Sequence, residues 1–291
     1  MSDRQALDAV TPFLVEVKAR LDSDLSLQSL SEGLGYSPFH FHRLFSSAVG
    51  ETPKRHVQRL RLERAAYKLA ITDESLIQIG LAVGFGAPET FSRAFRRGFG
   101  VSPSAYRRAA KAAQIARMER NQAFRGDGCQ LSEVWFANVR PTPLLAIRHL
   151  GAYAQLSAAT RKALWDELMD WADRNGLAHD PLRLGLFPDD PTLTPPGLQA
   201  SDLCIPVDRL VASDGRVRSI ELAGGLYGMI EHVGPSDTAG QAYRNLADAI
   251  RRSEFEFRDD DPPVQIFLEA QVCADDAGSR AQVWFPVRRR S

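Results

Sequence analysis

The sequence predicts a multidomain chain: an all-α domain with a double helix-turn-helix, then an α+β domain of two strand-helix-strand-strand modules. Three observations carry this. Phe41-x-Arg43-x-Phe45 with Gly50 and Pro53 recurs, at a spacing of 50, as Phe91-x-Arg93-x-Phe95 with Gly100 and Pro103. The apolar period changes from helical to alternating after Gly126-Asp127-Gly128. Charge changes at the same place: residues 1–125 carry 19 Lys/Arg against 12 Asp/Glu, and residues 126–291 carry 17 against 24. A length of 291 residues suits two cores.

Each element has its own signal. Phe41, Leu44, Phe45 and Val49 share one helix face, with Pro38 suited to its first turn and Gly50 to its end. A longer helix follows Pro53, with Val57, Leu60, Ala65, Leu69 and Ala70 as core positions. The Ala/Arg-rich stretch from Pro103 to about Phe124 is helical by composition. Beyond the glycine break, residues 133–140 and 144–150 read as strands joined by Pro141-Thr142-Pro143. An amphipathic helix covers 155–174, and short strands cover 182–187, 202–207, 217–221 and 226–233. A second helix covers 238–252, and strands return at 264–270 and 282–287.

Several classes of function are disfavoured. No apolar run approaches the roughly 20 residues of a membrane span, and the Met-Ser-Asp-Arg start does not resemble a secretory signal. Cys129, Cys204 and Cys273 are few and far apart, which suits reduced thiols in a cytoplasmic protein. No Ser-His-Asp signature, phosphate-binding loop or metal-ligand set is visible, so no catalytic residue, cofactor or metal is expected. His149 and His232 each end a strand in a His-x-Gly turn and are read as turn-stabilising rather than metal-ligating.

The repeat carries the argument for double-stranded DNA. A glycine turn, at Gly35 and at Gly84, joins two short helices in each unit. The two phenylalanines lock the second helix onto the core. Arg43 and Arg93 can then project outward, where a guanidinium reaches a phosphate or a guanine edge. Two such units fit successive major grooves about 34 Å apart. The plainer alternatives are a helical bundle with repeated caps, structural ion pairs for the arginines, and core packing for Phe39.

These motifs, with Gly100-Val101-Ser102-Pro103-Ser104-Ala105-Tyr106, resemble the DNA-binding domain of the AraC/XylS family over residues 8–108. The resemblance implies seven helices, a long central helix over 53–71, and supporting helices at 27–34 and 76–83. Carried over, it gives Ser37, Phe39, His42 and Arg43 to the first recognition helix and Glu89, Thr90 and Arg93 to the second. Arg96 and Arg97 fall on phosphates, while Pro88 offers only apolar contact.

The second half contains Arg148-His149-Leu150-Gly151-Ala152-Tyr153, Phe187-Pro188-Asp189-Asp190-Pro191, Glu231-His232-Val233-Gly234-Pro235 and Trp284-Phe285-Pro286-Val287. Residues 131–288 thereby resemble the GyrI-like effector-binding domain, whose two modules flank a groove for small aromatic or cationic compounds. Where that family commonly carries Glu-x-Tyr, this chain has Gln265 and Phe267. The resemblance therefore implies a neutral or weakly polar aromatic effector, held by Trp165, Phe187, Tyr227, Gln265 and Phe267. Glu231 or Glu269 supplies a charge if the register differs. The expected organisation is a DNA-binding domain over 1–110, a helical linker over 111–128 and a GyrI-like domain over 129–291. Alternatives are a hydrolase of a small aromatic compound, or a module that docks a protein such as RNA polymerase; no membrane partner is expected.

Overall fold

Proline and glycine set the helix boundaries of the first half. In the computed structural model, which describes residues 3–23, 25, 35–121, 128–180, 182–258, 261–268 and 279–290, the first helix is α1 (Asp3–Ala19). It is followed by α2 (Pro38–Val49), α3 (Pro53–Ile71), α4 (Leu76–Ala82), α5 (Pro88–Phe99) and α6 (Pro103–Asn121). Four of these begin at proline, whose missing N–H costs nothing in a first turn. Gly50 and Gly100 end α2 and α5 at φ 80° and 73°, left-handed values that favour glycine. The expected helix at 27–34 lies outside the described residues.

The two repeats build two aromatic cores. Phe13 of α1 lies 4.9 Å from the rings of both Phe41 and Phe45. In the second repeat Phe91, Phe95, Phe99 and Tyr106 form a chain of ring contacts at 4.6–5.7 Å. Val57, Leu60, Ala65 and Leu69 of α3 are buried as expected, whereas Ala70 sits half-buried at the edge. Arg61 of α3 reaches back to the end of α1, donating from Nε to the Leu21 carbonyl at 2.9 Å and from Nη2 to the Ser23 carbonyl at 2.8 Å. Gly84, at φ 83°, lies against that junction. A buried ionic cluster joins the α2–α3 turn to α3, with Arg59 bridging Glu51 and Glu63 at 2.9 Å each.

The chain divides into two compact units, 1–119 and 120–291. Among the described residues the second contains ten strands: β1 (Gln130–Leu131), β2 (Trp135–Val139), β3 (Thr142–Leu150), β4 (Arg183–Leu186), β5 (Ala200–Pro206), β6 (Val217–Leu222), β7 (Gly225–Val233), β8 (Phe255–Phe257), β9 (Val264–Phe267) and β10 (Arg280–Arg289). Its helices are α7 (Ala158–Arg174) and α8 (Gly240–Arg252). The sheet runs β1-β7-β10-β9-β4-β5-β3-β6, with β2 on β7 and β8 on β10.

Two modules are plain in this order. β3-α7-β4-β5 and β7-α8-β9-β10 each place the last strand beside the first, and β4 meets β9 at the join. Asp202 of β5 pairs with Arg148 and Leu186, as Gln282 of β10 pairs with Glu231 and Ile266. By that correspondence Gly185 and Gln265 are equivalent positions, and they are also register partners across the join. The fold is thus the expected one, with β1 and β8 in addition.

Helix α7 packs on β3 and β5, and α8 packs on β7, β8 and β10. Leu145, Ile147, Leu203 and Ile205 of the sheet meet α7, while Ile230 and Val283 meet α8. The opposite face gathers Leu144, Ala146, Cys204, Tyr227, Met229, Val264 and Ile266. It also carries a buried ionic triad, in which Asp202 accepts from Arg148 at 2.6 and 2.8 Å and from Arg218 at 2.5 Å. Burial alone would raise the Asp202 carboxyl, but the two guanidinium groups override it and hold it well below the usual range. Among the described residues no helix is long and apolar enough to cross a membrane.

Candidate DNA interface and effector groove

The two helices expected to meet DNA are α2 and α5. Phe41, Leu44 and Phe45, like Phe91, Ala94 and Phe95, turn inward. The 100° step of the helix then leaves the remaining positions to solvent. Ser37, Phe39, His42 and Arg43 are all exposed, as are Glu89, Thr90, Arg93, Arg96 and Arg97. Phe39 is 73 % exposed, so the core-packing alternative does not hold for it. The Arg43 guanidinium lies 6.0 Å from its ring centroid. Arg93 Nε reaches the Glu89 carbonyl at 3.3 Å, and among the described residues no carboxylate forms an ion pair with Arg43, Arg93, Arg96 or Arg97. A concavity of about 560 Å3 on α5 is lined by Pro88, Glu89, Ser92, Arg93 and Arg96.

The two helices differ in their entry. Ser37 caps α2, its hydroxyl accepting from the His40 N–H at 3.3 Å. Ala87, at the same place before α5, supplies no side-chain cap. Their charge differs too: Arg96 and Arg97 close α5, where α2 has Ser46 and Ser47. A sequence aligned on phenylalanines and glycines does not reveal that imbalance until the outward faces are compared.

The second candidate site lies at the β4/β9 join, between the part of the sheet that packs on α7 and the part that packs on α8. Gly185 and Gln265 form its floor. A Cβ on Gly185 would stand 2.8 Å from the Phe187 ring and 3.6 Å from the Phe267 ring, so the bare glycine lets both aromatics fold over the join. Trp165 of α7 meets Phe267 edge-on at 5.0 Å, and Arg161 of α7 lies 5.4 Å above the Phe267 ring. Tyr243 of α8 faces the join from the other side, its hydroxyl 3.3 Å from Gln265 Oε1. Burial pushes the Tyr243 hydroxyl up, keeping it protonated and a donor. Tyr153 stands against Phe187 at 5.1 Å, with its hydroxyl donating to the Ala200 carbonyl at 2.8 Å.

Of the five residues expected to hold an effector, Phe187, Gln265 and Phe267 come together here. Trp165 supports Phe267 but is itself only 2 % exposed, its Nε1 donating to the Leu184 carbonyl. Tyr227 is not part of the group. A Cβ at its neighbour Gly228 would meet Ile250 of α8, so Gly228 faces the helices and Tyr227 turns to the opposite face. There its hydroxyl donates to the Ala223 carbonyl and Arg258 covers its ring. Glu231 shares that opposite face and pairs with Arg280 at 2.6 Å, while Glu269 lies outside the described residues. Sequence reasoning missed Tyr243, Arg161 and Tyr153; only the apolar spacing of Tyr243, Leu246 and Ile250 along α8 pointed inward. His232 stabilises its turn, with Nε2 2.7 Å from Thr238 Oγ1, and His149 lies beneath Gly151.

Residues 30–109 match the helix-turn-helix domain family, and residues 132–288 match the GyrI-like small molecule binding domain family. The HTH-type transcriptional regulator Rv1931c of Mycobacterium tuberculosis is 44% identical over 80 residues, 28% of this chain and 31% of that protein. The right origin-binding protein of Escherichia coli K12 is 31% identical over 99 residues, 34% of each chain. The chain thus spans about a third of the length of these relatives. An AraC-type transcriptional regulator structure from Chromobacterium violaceum is 31% identical, covering 35% of this chain and 91% of that one at a TM-score of 0.34. The second match takes in more than half of the sequence, and the repeat ahead of it has the AraC-type arrangement: the chain belongs to the GyrI-like small-molecule-binding family and joins that domain to an AraC-type helix-turn-helix domain.

Proposed function

We propose that this protein is a sequence-specific transcription regulator of bacterial type, whose DNA binding is controlled by a small aromatic effector held at the β4/β9 join. The observation that carries the proposal is the pair of outward-facing helices, each with an arginine outside any ion pair among the described residues, in one chain with a cluster of aromatic rings at the β4/β9 join. On this reading Phe39, His42, Arg43, Glu89, Thr90 and Arg93 meet base edges. Ser37, Arg96 and Arg97 meet the phosphate backbone. Phe187, Gln265 and Phe267 touch the effector, with Trp165 behind them.

Residues 1–110 then act as the DNA-binding domain and 129–291 as the sensor. The stretch 111–128 is the link through which effector binding alters DNA affinity or contact with RNA polymerase. A binding role without catalysis suits the join, because Gln265 stands there in place of a carboxylate that could act as general base. The location that follows is the cytoplasm.

The test is a fluorescence-anisotropy titration with the protein's own upstream promoter DNA against scrambled DNA, at two salt concentrations, with and without a panel of aromatic compounds. Specific binding that falls steeply with salt and shifts with one compound class supports the proposal. No preference for promoter DNA under any condition defeats it.

A further inference from the structure

The two repeats hold their outward-facing helices in place by different chemistry. We propose that Arg59 is a positioning residue for DNA recognition. With Glu51, His56 and Glu63 it fixes the angle at which α2 meets α3, and so where Phe39, His42 and Arg43 stand, without itself touching DNA. This rests on the DNA-binding reading given above and adds to it the residues that set one of the two helices.

Gly50 ends α2 in the left-handed region and Thr52 caps α3, so Glu51 stands at the corner between them. Its Oε1 accepts from Arg59 Nε at 3.0 Å and Nη2 at 2.9 Å, and lies 2.9 Å from His56 Nδ1. Arg59 Nη1 donates to both oxygens of Glu63, at 2.9 and 3.0 Å, so one planar fork is held at both ends. His56 in turn meets Phe45 of α2 edge-on at 5.3 Å. The contacts thus run from α3 to the inward face of α2, whose outward face carries Arg43. None of the four side chains is more than 15 % exposed. Burial would raise the Glu51 carboxyl, but hydrogen bonds from His56 and Arg59 hold it below its ordinary value.

The second repeat does without this cluster. Fifty residues on, Glu51, His56, Arg59 and Glu63 become Val101, Tyr106, Ala109 and Ala113. Tyr106 keeps the edge-on contact, to Phe95 at 5.4 Å, and Phe99, where the first repeat has Val49, stacks on Phe95 at 4.6 Å. Rings alone therefore close the same corner, and charge is not needed to form it. Apolar packing of similar volume is commonly as stable as a buried ionic group. What the ions add is direction, because charge-assisted bonds to a planar fork tolerate little rotation. Direction matters to a base contact, which is lost when its donor leaves the base edge.

The full chain first selects duplexes from a random-sequence pool, and Arg43→Ala and Arg93→Ala then identify the base pairs read by α2 and by α5. Anisotropy titrations on a selected duplex and its single-base changes compare the parent with Arg59→Met and with Glu51→Gln/Arg59→Met/Glu63→Gln, which removes the three charges together. Both variants are expected to lose discrimination under α2 by at least about fivefold, the low end of what one base contact contributes, and to keep it under α5. The triple variant should also keep the parent's denaturant midpoint. Arg59→Met leaves two carboxylates facing each other; if circular dichroism shows it unfolded, the triple variant decides alone. Unchanged discrimination under α2, equal loss under both helices, a triple variant that does not fold, or an Arg43→Ala variant with the parent's base preferences each overturn the proposal and leave the DNA-binding reading standing. A pool from which no sequence is enriched overturns both.

Discussion

At the scale of single residues, position relative to solvent separates roles that side-chain type leaves mixed. Arg43 and Arg148 both lie on repeated motifs, yet one is exposed on α2 and the other buried against Asp202. For the exposed arginines the proposed function predicts that the cost of removal falls on DNA binding. Arg93→Ala should lose roughly 1–3 kcal/mol of discrimination at one base position. Arg97→Ala should instead weaken all sequences alike and reduce the salt slope by about one. Anisotropy titrations on an operator and its single-base variants distinguish the two, and equal behaviour of the variants would undo the division between base and phosphate contacts.

For the buried ionic group the cost falls on stability. Removing the charge of Asp202 leaves Arg148 and Arg218 facing each other in the core, a loss of about 3–5 kcal/mol for a broken buried pair, so Asp202→Asn should lower the melting temperature. The pH dependence has a definite sign. The folded-state carboxyl is held below its unfolded value of about 4. Its contribution is complete above that value and is lost as pH falls further toward the depressed one. Melting curves should therefore show a gap between parent and Asp202→Asn that is constant above about pH 5 and narrows below about pH 4.

At the scale of elements, helix ends were the most readable part of the sequence, because their signals are local. Pro38, Pro53, Pro88 and Pro103 each begin a helix, and Gly50 and Gly100 each end one, as local backbone chemistry requires. Strand faces were less readable. Both faces of β7 are apolar, since one meets α8 and the other the Tyr227 cluster, so alternation gives no sign of which face belongs to the groove. That is why Tyr227 was grouped with Gln265 and Phe267, which lie two apart on β9 and share the other face of the sheet. Strand β8 escaped notice because three residues, Phe255–Phe257, are too few to establish a period.

The same local chemistry makes a prediction for α5. Its N-cap Ala87 has the extended backbone of a capping residue, φ −150° and ψ 143°, but no side-chain oxygen to receive the first free N–H groups. Ala87→Ser should stabilise the first domain by about 0.5–1 kcal/mol, read as a higher denaturant midpoint. An unchanged midpoint would mean that the second unit gains nothing from the cap that Ser37 gives the first.

At the scale of the whole molecule, a net charge of zero conceals two halves of opposite sign, 19 against 12 and 17 against 24. The structure divides at 119/120, close to the charge boundary, so each unit carries its own field. A polyanion attracts the first unit and repels the second. A fragment of residues 1–121 should therefore bind promoter DNA more tightly than the full chain at low salt. It should lose all response to effector, because the residues proposed to hold the effector lie wholly in the other unit. The advantage of the fragment must shrink as salt rises, since charges more than about 10 Å apart are largely screened at 0.1 M. Parallel titrations from about 0.05 to 0.3 M salt decide the matter. If the fragment keeps the same advantage throughout, the charge of the second unit is not what weakens DNA binding, and the electrostatic account fails.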